Sequence, residues 1–271
     1  MTAPTVDHTM QVEQAIFASS DRSSIKGYHL VAQSAGVDSE QAFQLTRWAP
    51  TQLPEDAPPE GAISCWTMDD ETVVLTRTLF AGAEYSDRGG RQVMTLALLL
   101  RDAQFRAYDC QPISLWKTAF ALGQLRLPRD SYRADLNRTH LPAVTLPDRS
   151  LFPSMSSPST DSLGGHSFAP THGGLINEIV SMIERGERFA LIGSPDPLAF
   201  VTELMNRLSI DQRHTFSFTS GLSPSIRRPL QAHFFRHPNA ERLQTLQSRG
   251  ISCLDLNARP VAKLMSQSVK I

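Results

Sequence analysis

Cysteine is scarce in this chain and poorly spaced for chemistry. Its three cysteines, Cys65, Cys110 and Cys253, stand far apart and form no Cys-x-x-Cys pair. That spacing excludes a disulfide framework and a cysteine-rich structural zinc site, and it fits a reducing compartment. A surplus of one charge is also lacking. With 26 basic and 27 acidic residues the net charge is -1, so no global field draws the chain to nucleic acid or to an anionic membrane. No apolar run approaches the roughly 20 residues that a spanning helix needs. Met1–Gln11 has neither the basic nor the apolar region of a signal peptide. A cytoplasmic protein without membrane attachment is expected.

The motifs of common enzyme classes are missing as well. A phosphate loop needs Gly-x-x-x-x-Gly-Lys-Ser/Thr. The nearest context, Leu191 to Pro197, lacks the lysine, and its prolines remove backbone donors. No Gly-x-Gly-x-x-Gly supports a dinucleotide site. Gly165-His166-Ser167-Phe168-Ala169 resembles a nucleophile elbow, but Pro170 follows where a helix should start, and a serine-proline stretch precedes where a strand should end. The eight histidines are scattered. His233 and His237 alone are close, and on a strand they lie about 13 Å apart, too far to share a metal. Asp69-Asp70-Glu71 reads as a solvated hairpin turn. No metal site, cofactor or catalytic set is expected, and the reading favours a protein that is not an enzyme.

What the chain does contain is a core. Hydrophobic residues make up 41% of 271, enough for one large domain or two modest ones. The sharpest composition shift is the serine- and proline-rich run from Pro147 to Pro170. It divides the chain into residues 1–146, read as a strand-rich α+β domain with a few helices, 147–172 as a linker or long loop, and 173–271 as an α/β-alternating domain. Within the first, Gln92–Leu100 is apolar on both faces, with Met94, Leu96, Leu98 and Leu100 on one, which places it in the centre of a covered sheet. Asp38 or Ser39 caps a helix expected to turn Ala42, Phe43 and Leu45 inward. From Arg188 onward the order reads βαββαβ, the ferredoxin-like split pattern. In it Ser194 and Pro195 are expected as N-cap and first helical residue, and Asn239 as the cap of the last helix.

Tyr85-Ser86-Asp87-Arg88-Gly89-Gly90-Arg91 connects two of the strands. Gly89 and Gly90 permit positive φ, and Asp87 suits an Asx turn, so the tight connection explains itself. Arg88 and Arg91 are not required by a turn. Two guanidinium forks beside successive backbone N–H groups suit phosphate or carboxylate, which makes Asp87, Arg88, Gly89, Gly90 and Arg91 a candidate anion site. The alternative is that Arg88 or Arg91 pairs with Glu84 or Asp87 and orders the hairpin. In the second half, Arg227-Arg228 and Phe234-Phe235 suggest a basic and aromatic surface of the kind that binds single-stranded RNA, but the ribonucleoprotein consensus is absent from the phenylalanine-containing strands and core phenylalanines are the better reading.

Several segments together carry a resemblance: Gln14-Ala15-Ile16-Phe17, Gly27 to Ser34, Tyr85 to Arg91 running into Val93 to Leu100, and Leu204 to Leu208 followed by Arg213-His214-Thr215-Phe216-Ser217-Phe218-Thr219-Ser220. The chain resembles the N-terminal region of bacterial GTPase-associated proteins, encoded beside small GTPases in conflict or signalling modules. The resemblance implies an adaptor with a protein partner, a GTPase or its associated proteins, and brings no catalytic residues with it.

Overall fold

The computed structural model describes residues 8–20, 26–69, 71–83, 90–127, 140–151, 173–228 and 230–257. In chain order these form β1 (Thr9–Ser20), β2 (Gly27–Ser34), α1 (Ser39–Trp48), β3 (Ala62–Thr67), β4 (Thr72–Ala83), β5 (Arg91–Arg101), α2 (Asp102–Arg106), α3 (Pro112–Ala121), β6 (His140–Leu141) and β7 (Val144–Pro147). After residue 172 come α4 (Gly173–Glu184), β8 (Phe189–Ile192), α5 (Pro197–Arg207), α6 (Ile210–Thr215), β9 (Phe218–Ser220), β10 (Ala232–Phe235), α7 (Ala240–Ser248) and β11 (Ser252–Asp255). The fold class is α+β, as the sequence pattern predicts.

The strands share one sheet, in the order β11-β8-β10-β9-β3-β4-β5-β1-β2-β6, with β7 paired to the start of β1. β5 sits between β4 and β1, antiparallel to both. Its alternation decides the layering. Met94, Leu96, Leu98 and Leu100 enter a large core with Phe105 of α2, Leu115 of α3, Ile179 of α4 and Val201 of α5. Ala97 and Leu99 point to the opposite face, where they meet Leu45 of α1 and Trp66 of β3. A strand buried on both faces must be apolar throughout, and this one is.

Residues on either side of 147–172 meet at β3 and β9. Ser64 pairs with Thr219 and Cys65 with Phe218 in an antiparallel ladder. The Ser64 hydroxyl donates to Thr219 Oγ1 at 2.8 Å, and the Ile63 N–H donates to Ser220 Oγ at 3.0 Å. The sheet is therefore continuous from one half of the chain to the other.

From β8 onward the order is β8-α5-α6-β9-β10-α7-β11, so the expected βαββαβ run carries one further helix, α6, before β9, and β10 lies beside β8, with β9 beyond it. All three ladders among β8, β9, β10 and β11 are parallel. β8 feeds α5, which packs on the large core, whereas β10 feeds α7, whose Leu246 covers Ala190, Ile192 and Phe235 on the opposite face. Adjacent parallel strands that send the chain to opposite faces open a crevice outside their carboxyl ends, the usual place for a ligand in such sheets.

Two local expectations are corrected. α5 is capped by Asp196, whose carboxylate accepts the Ala199 N–H at 2.9 Å with Pro197 inside the first turn. Ser194 is disfavoured as a cap, because the residue three positions on is Pro197, which has no N–H to donate. Phe43 does not face inward but is 61% exposed. α1 presents only the narrow stripe of Ala42, Leu45 and Trp48 to the sheet, and Phe43 falls about 100° off Ala42 on the helix. The cap at Asp38 is as expected, with a full capping box to Gln41.

Candidate functional site

Asp87, Arg88 and Gly89, together with Tyr85 and Ser86, lie outside the described residues, as do residues 165–169. Gly90 and Arg91 are described. Arg91 opens β5 opposite Ala83, and its guanidinium stacks over the Phe80 ring with 5.0 Å to the centroid. An open hollow of about 420 Å³ beside it is bounded by Phe80, Gly82, Ala83 and Gly90. Arg91 makes no ion pair with a carboxylate among the described residues.

A larger feature lies on the α1 and α7 side of the sheet. The turn that ends α1 and the stretch after it, residues 46–56, form one wall. The connection from β9 to β10 forms the floor with Ser223, Arg227 and Arg228, and the start of α7 forms the second wall with His237, Asn239 and Arg242. Between them runs an open cleft of about 1050 Å³. It reaches the carboxyl end of β10, where the sheet topology places a crevice. Behind its floor, lined by Phe17, Leu45, Trp48 and Trp66 among others, is a void of about 10 Å³, room for about one water molecule and no more.

The walls are tied by an ion pair across 186 residues of sequence. Arg242 donates to both carboxylate oxygens of Asp56, at 2.6 and 3.0 Å, while its guanidinium lies 4.3 Å over the Phe235 ring. The hydrogen bond from Arg242 holds the Asp56 carboxyl below its ordinary range, against the opposing effect of burial. Arg236 and Glu60 add a second link at 2.7 Å. Trp48 and Trp66 stack at 4.9 Å beneath the first wall.

Arg228 is of a different kind. Its Nη1 donates to the Trp48 carbonyl at 3.1 Å and its Nη2 to the Ser223 carbonyl at 3.4 Å, so it staples the end of α1 to the floor. Its Nε is buried with no acceptor among the described residues. Burial, followed by the charges of Arg249 and Arg227, pushes the guanidinium down to about 10, still fully charged at neutral pH. Next to it His233 is 1% exposed. Burial pushes the imidazole down to about 3, and Arg188, Arg228 and Arg249 add to the effect. The Leu222 backbone opposes this, though at a geometry that leaves neither ring nitrogen hydrogen-bonded. His233 is therefore neutral at ordinary pH.

Other polar clusters are structural. Asp102 holds Arg106 at 2.9 Å and lies 2.9 Å from His214 Nε2, which clips α2 to α6. The adjacent Cys110 is fully buried, and burial pushes its thiol up to about 11, so it carries no thiolate. Among the described residues no group of three or more His, Cys, Asp or Glu side chains is placed to hold a metal ion.

Residues 11–137 match the family GTPase-associated protein 1, N-terminal domain type 2. The resemblance read from the sequence is thus shown for the N-terminal region. This GTPase-associated domain spans β1 to α3, and so includes the cleft wall at residues 46–56. The floor and second wall come from residues after the match. No curated protein matches the chain.

Sequence reasoning singled out Arg227 and Arg228 and preferred core positions for Phe234 and Phe235, and the structure agrees with the latter. Phe234 and Phe235 are both buried, in the cores on opposite faces of the sheet, and neither offers a ring to a base. The Asp56–Arg242 pair gave no sequence signal, because nothing local links residues so far apart.

Proposed function

We propose that the chain is a non-enzymatic interaction module, an adaptor that meets a protein partner in a bacterial, cytoplasmic GTPase-associated signalling or conflict system. The observation that carries this reading is the cleft. It is assembled from the GTPase-associated domain on one side and from residues beyond it on the other, and exposed apolar side chains stand at its margin. Ile226, 83% exposed, precedes Arg227 on the floor, and Phe43 lies one helical turn before Arg47 on the wall. Large apolar side chains held out in water beside a cleft lined by both acids and arginines are what a recognition surface offers. No helix among the described residues is long and apolar enough to cross a membrane.

Co-purification from the native host tests the reading. Wild-type protein is expected to recover the same partner repeatedly, and the double variant Phe43→Asp, Ile226→Asp to lose it while remaining folded. Recovery of nothing by the wild type, or equal recovery by the variant, would count against it.

A further inference from the structure

The cleft is not evenly charged, and two long-range contacts fix where its ionic groups stand. At one end Arg228 Nη1 donates to the Trp48 carbonyl at 3.1 Å. Arg47 precedes Trp48 and Arg227 precedes Arg228, so both arginines stand at this end, exposed and lining the cleft. At the other end the Asp56–Arg242 ion pair, at 2.6 Å, holds the first wall to α7. Glu55 precedes Asp56 and Glu241 precedes Arg242, so both acids stand there, exposed and lining the cleft with His237. Asp56 and Arg242 neutralise one another. Arg47, Arg227, Glu55 and Glu241 form no ion pair among the described residues. One end of the cleft therefore presents cations, and the other presents carboxylates.

Ile226 and Arg227 form the tip of a tight turn, closed by a hydrogen bond from the Arg228 N–H to the Ser225 carbonyl at 3.1 Å. The tip stands at the basic end, and its isoleucine is 83% exposed. At the acidic end the lining adds Pro54 and Pro238, next in sequence to Glu55 and to the Asn239 cap of α7. One end thus carries an apolar residue beside an arginine, and the other carries apolar lining beside carboxylates. A surface of this kind is complementary to itself after a half-turn, which brings each basic end onto an acidic one. With a net charge of -1 the chain has no global repulsion to oppose the approach of two copies.

We propose that this cleft takes a second copy of the chain, joined about a two-fold axis through the cleft. The Ile226–Arg227 tip of each copy enters the acidic end of the other, and Arg47 and Arg227 face the partner subunit's Glu55 and the partner subunit's Glu241. Covering Ile226 removes an exposed apolar side chain from water, while the opposed charges fix the orientation in which the two copies meet. The inference rests on the cleft being a protein-binding surface, as proposed above. Self-association uses the same rim, so a different protein reaches the cleft by displacing the second copy.

Sedimentation velocity of the full chain tests it, over roughly 1–500 μM, where small transient interfaces assemble. Work at about pH 8 takes imidazole charge out of the comparison. The wild type is expected to pass reversibly from one chain to two as concentration rises, and less readily as sodium chloride screens the charges. Two double variants reverse one end each: Arg47→Glu with Arg227→Glu, and Glu55→Arg with Glu241→Arg. All four side chains are exposed and outside the ion pairs of the fold, so both variants should fold, which thermal unfolding checks. Each variant alone sets like charges against one another and should self-associate about tenfold or more weakly than the wild type. Their equimolar mixture restores opposite charges at both contacts and should form a mixed dimer. A wild type that stays monomeric throughout would overturn the inference, as would a variant that associates like the wild type or a mixture that associates no better than its parts. A monomeric wild type that still recovers a different protein by co-purification sinks the second copy and leaves the adaptor reading standing. A charge-dependent dimer that recovers no other protein supports the second copy and counts against the adaptor.

Discussion

Burial of a neutral histidine among arginines makes the protein acid-sensitive in a window that can be calculated. His233 sits at about 3 in the folded state and at 6.5 when free of its surroundings. As pH falls through 6.5 the unfolded chain takes a proton on this residue and the folded chain does not. The unfolded state then binds more protons, so stability falls with falling pH between those two values and is intact above the upper one. At about pH 4.5 the gap corresponds to two logarithmic units, about 2.7 kcal/mol, against about 0.2 kcal/mol at pH 7. The group should therefore remove about 2–3 kcal/mol between the two. His233→Phe lacks the titration and keeps the stacking on Phe235, which the imidazole makes at 6.1 Å. Urea unfolding of both proteins in chloride buffers measures the effect, since carboxylate titrations are common to both and cancel. The wild type should lose about 2–3 kcal/mol more than the variant on going to pH 4.5. An equal loss in the two would refute the burial and protonation state assigned to His233.

Other consequences follow from single contacts. Asp56→Asn leaves Arg242, whose side chain is 8% exposed, without its counter-charge; with Asp56 itself about one-third exposed the expected loss is about 1–2 kcal/mol. Because the Asp56 carboxyl is held below its ordinary range, that loss should persist at mildly acidic pH and vanish only as pH drops through the lowered value, which urea unfolding in acid would show. Leu98→Ala removes a fully buried side chain from the central strand and should destabilise by about 2–5 kcal/mol in the same assay. Gly221 has φ +100°, and a Cβ there would lie 2.6 Å from Pro58 Cδ. Gly221→Ala should therefore cost about 1–3 kcal/mol and lower the Tm, whereas Gly123→Ala, with nothing within 4 Å of its Cβ, should cost less.

The elements that sequence revealed are those whose instructions are local. Met94, Leu96, Leu98 and Leu100 alternate with Val93, Ala97 and Leu99, and no other arrangement buries both sets. Asp38 and Asn239 cap α1 and α7 because each places an oxygen before a helical run, with the accepted N–H three residues on. The helical stripe of Ile176, Ile179 and Met182 in α4 was equally plain. What stayed hidden depends on long-range contacts. Nothing near Ser64 announces Thr219, and the parallel course of β9 beside β10 rests on a connection that crosses the sheet face, which composition does not encode. Phe43 misled because apolar character does not say which side of a short helix is covered. The cleft shared this fate. Arg228 was visible as a basic residue, but its burial, the lack of a carboxylate beside it and the company of Arg249 and His233 arise only when three separate elements close on one another.

The proposed recognition surface is the cleft between α1 and α7. Hydrogen exchange on the chain alone and bound to its co-purified partner addresses it directly. The account predicts slowed exchange in residues 46–56 and 223–245 on binding, with the distant β2 and β6 edge unchanged. Protection confined to that edge, or to the β4–β5 hairpin, with the cleft exchanging as before, would contradict it.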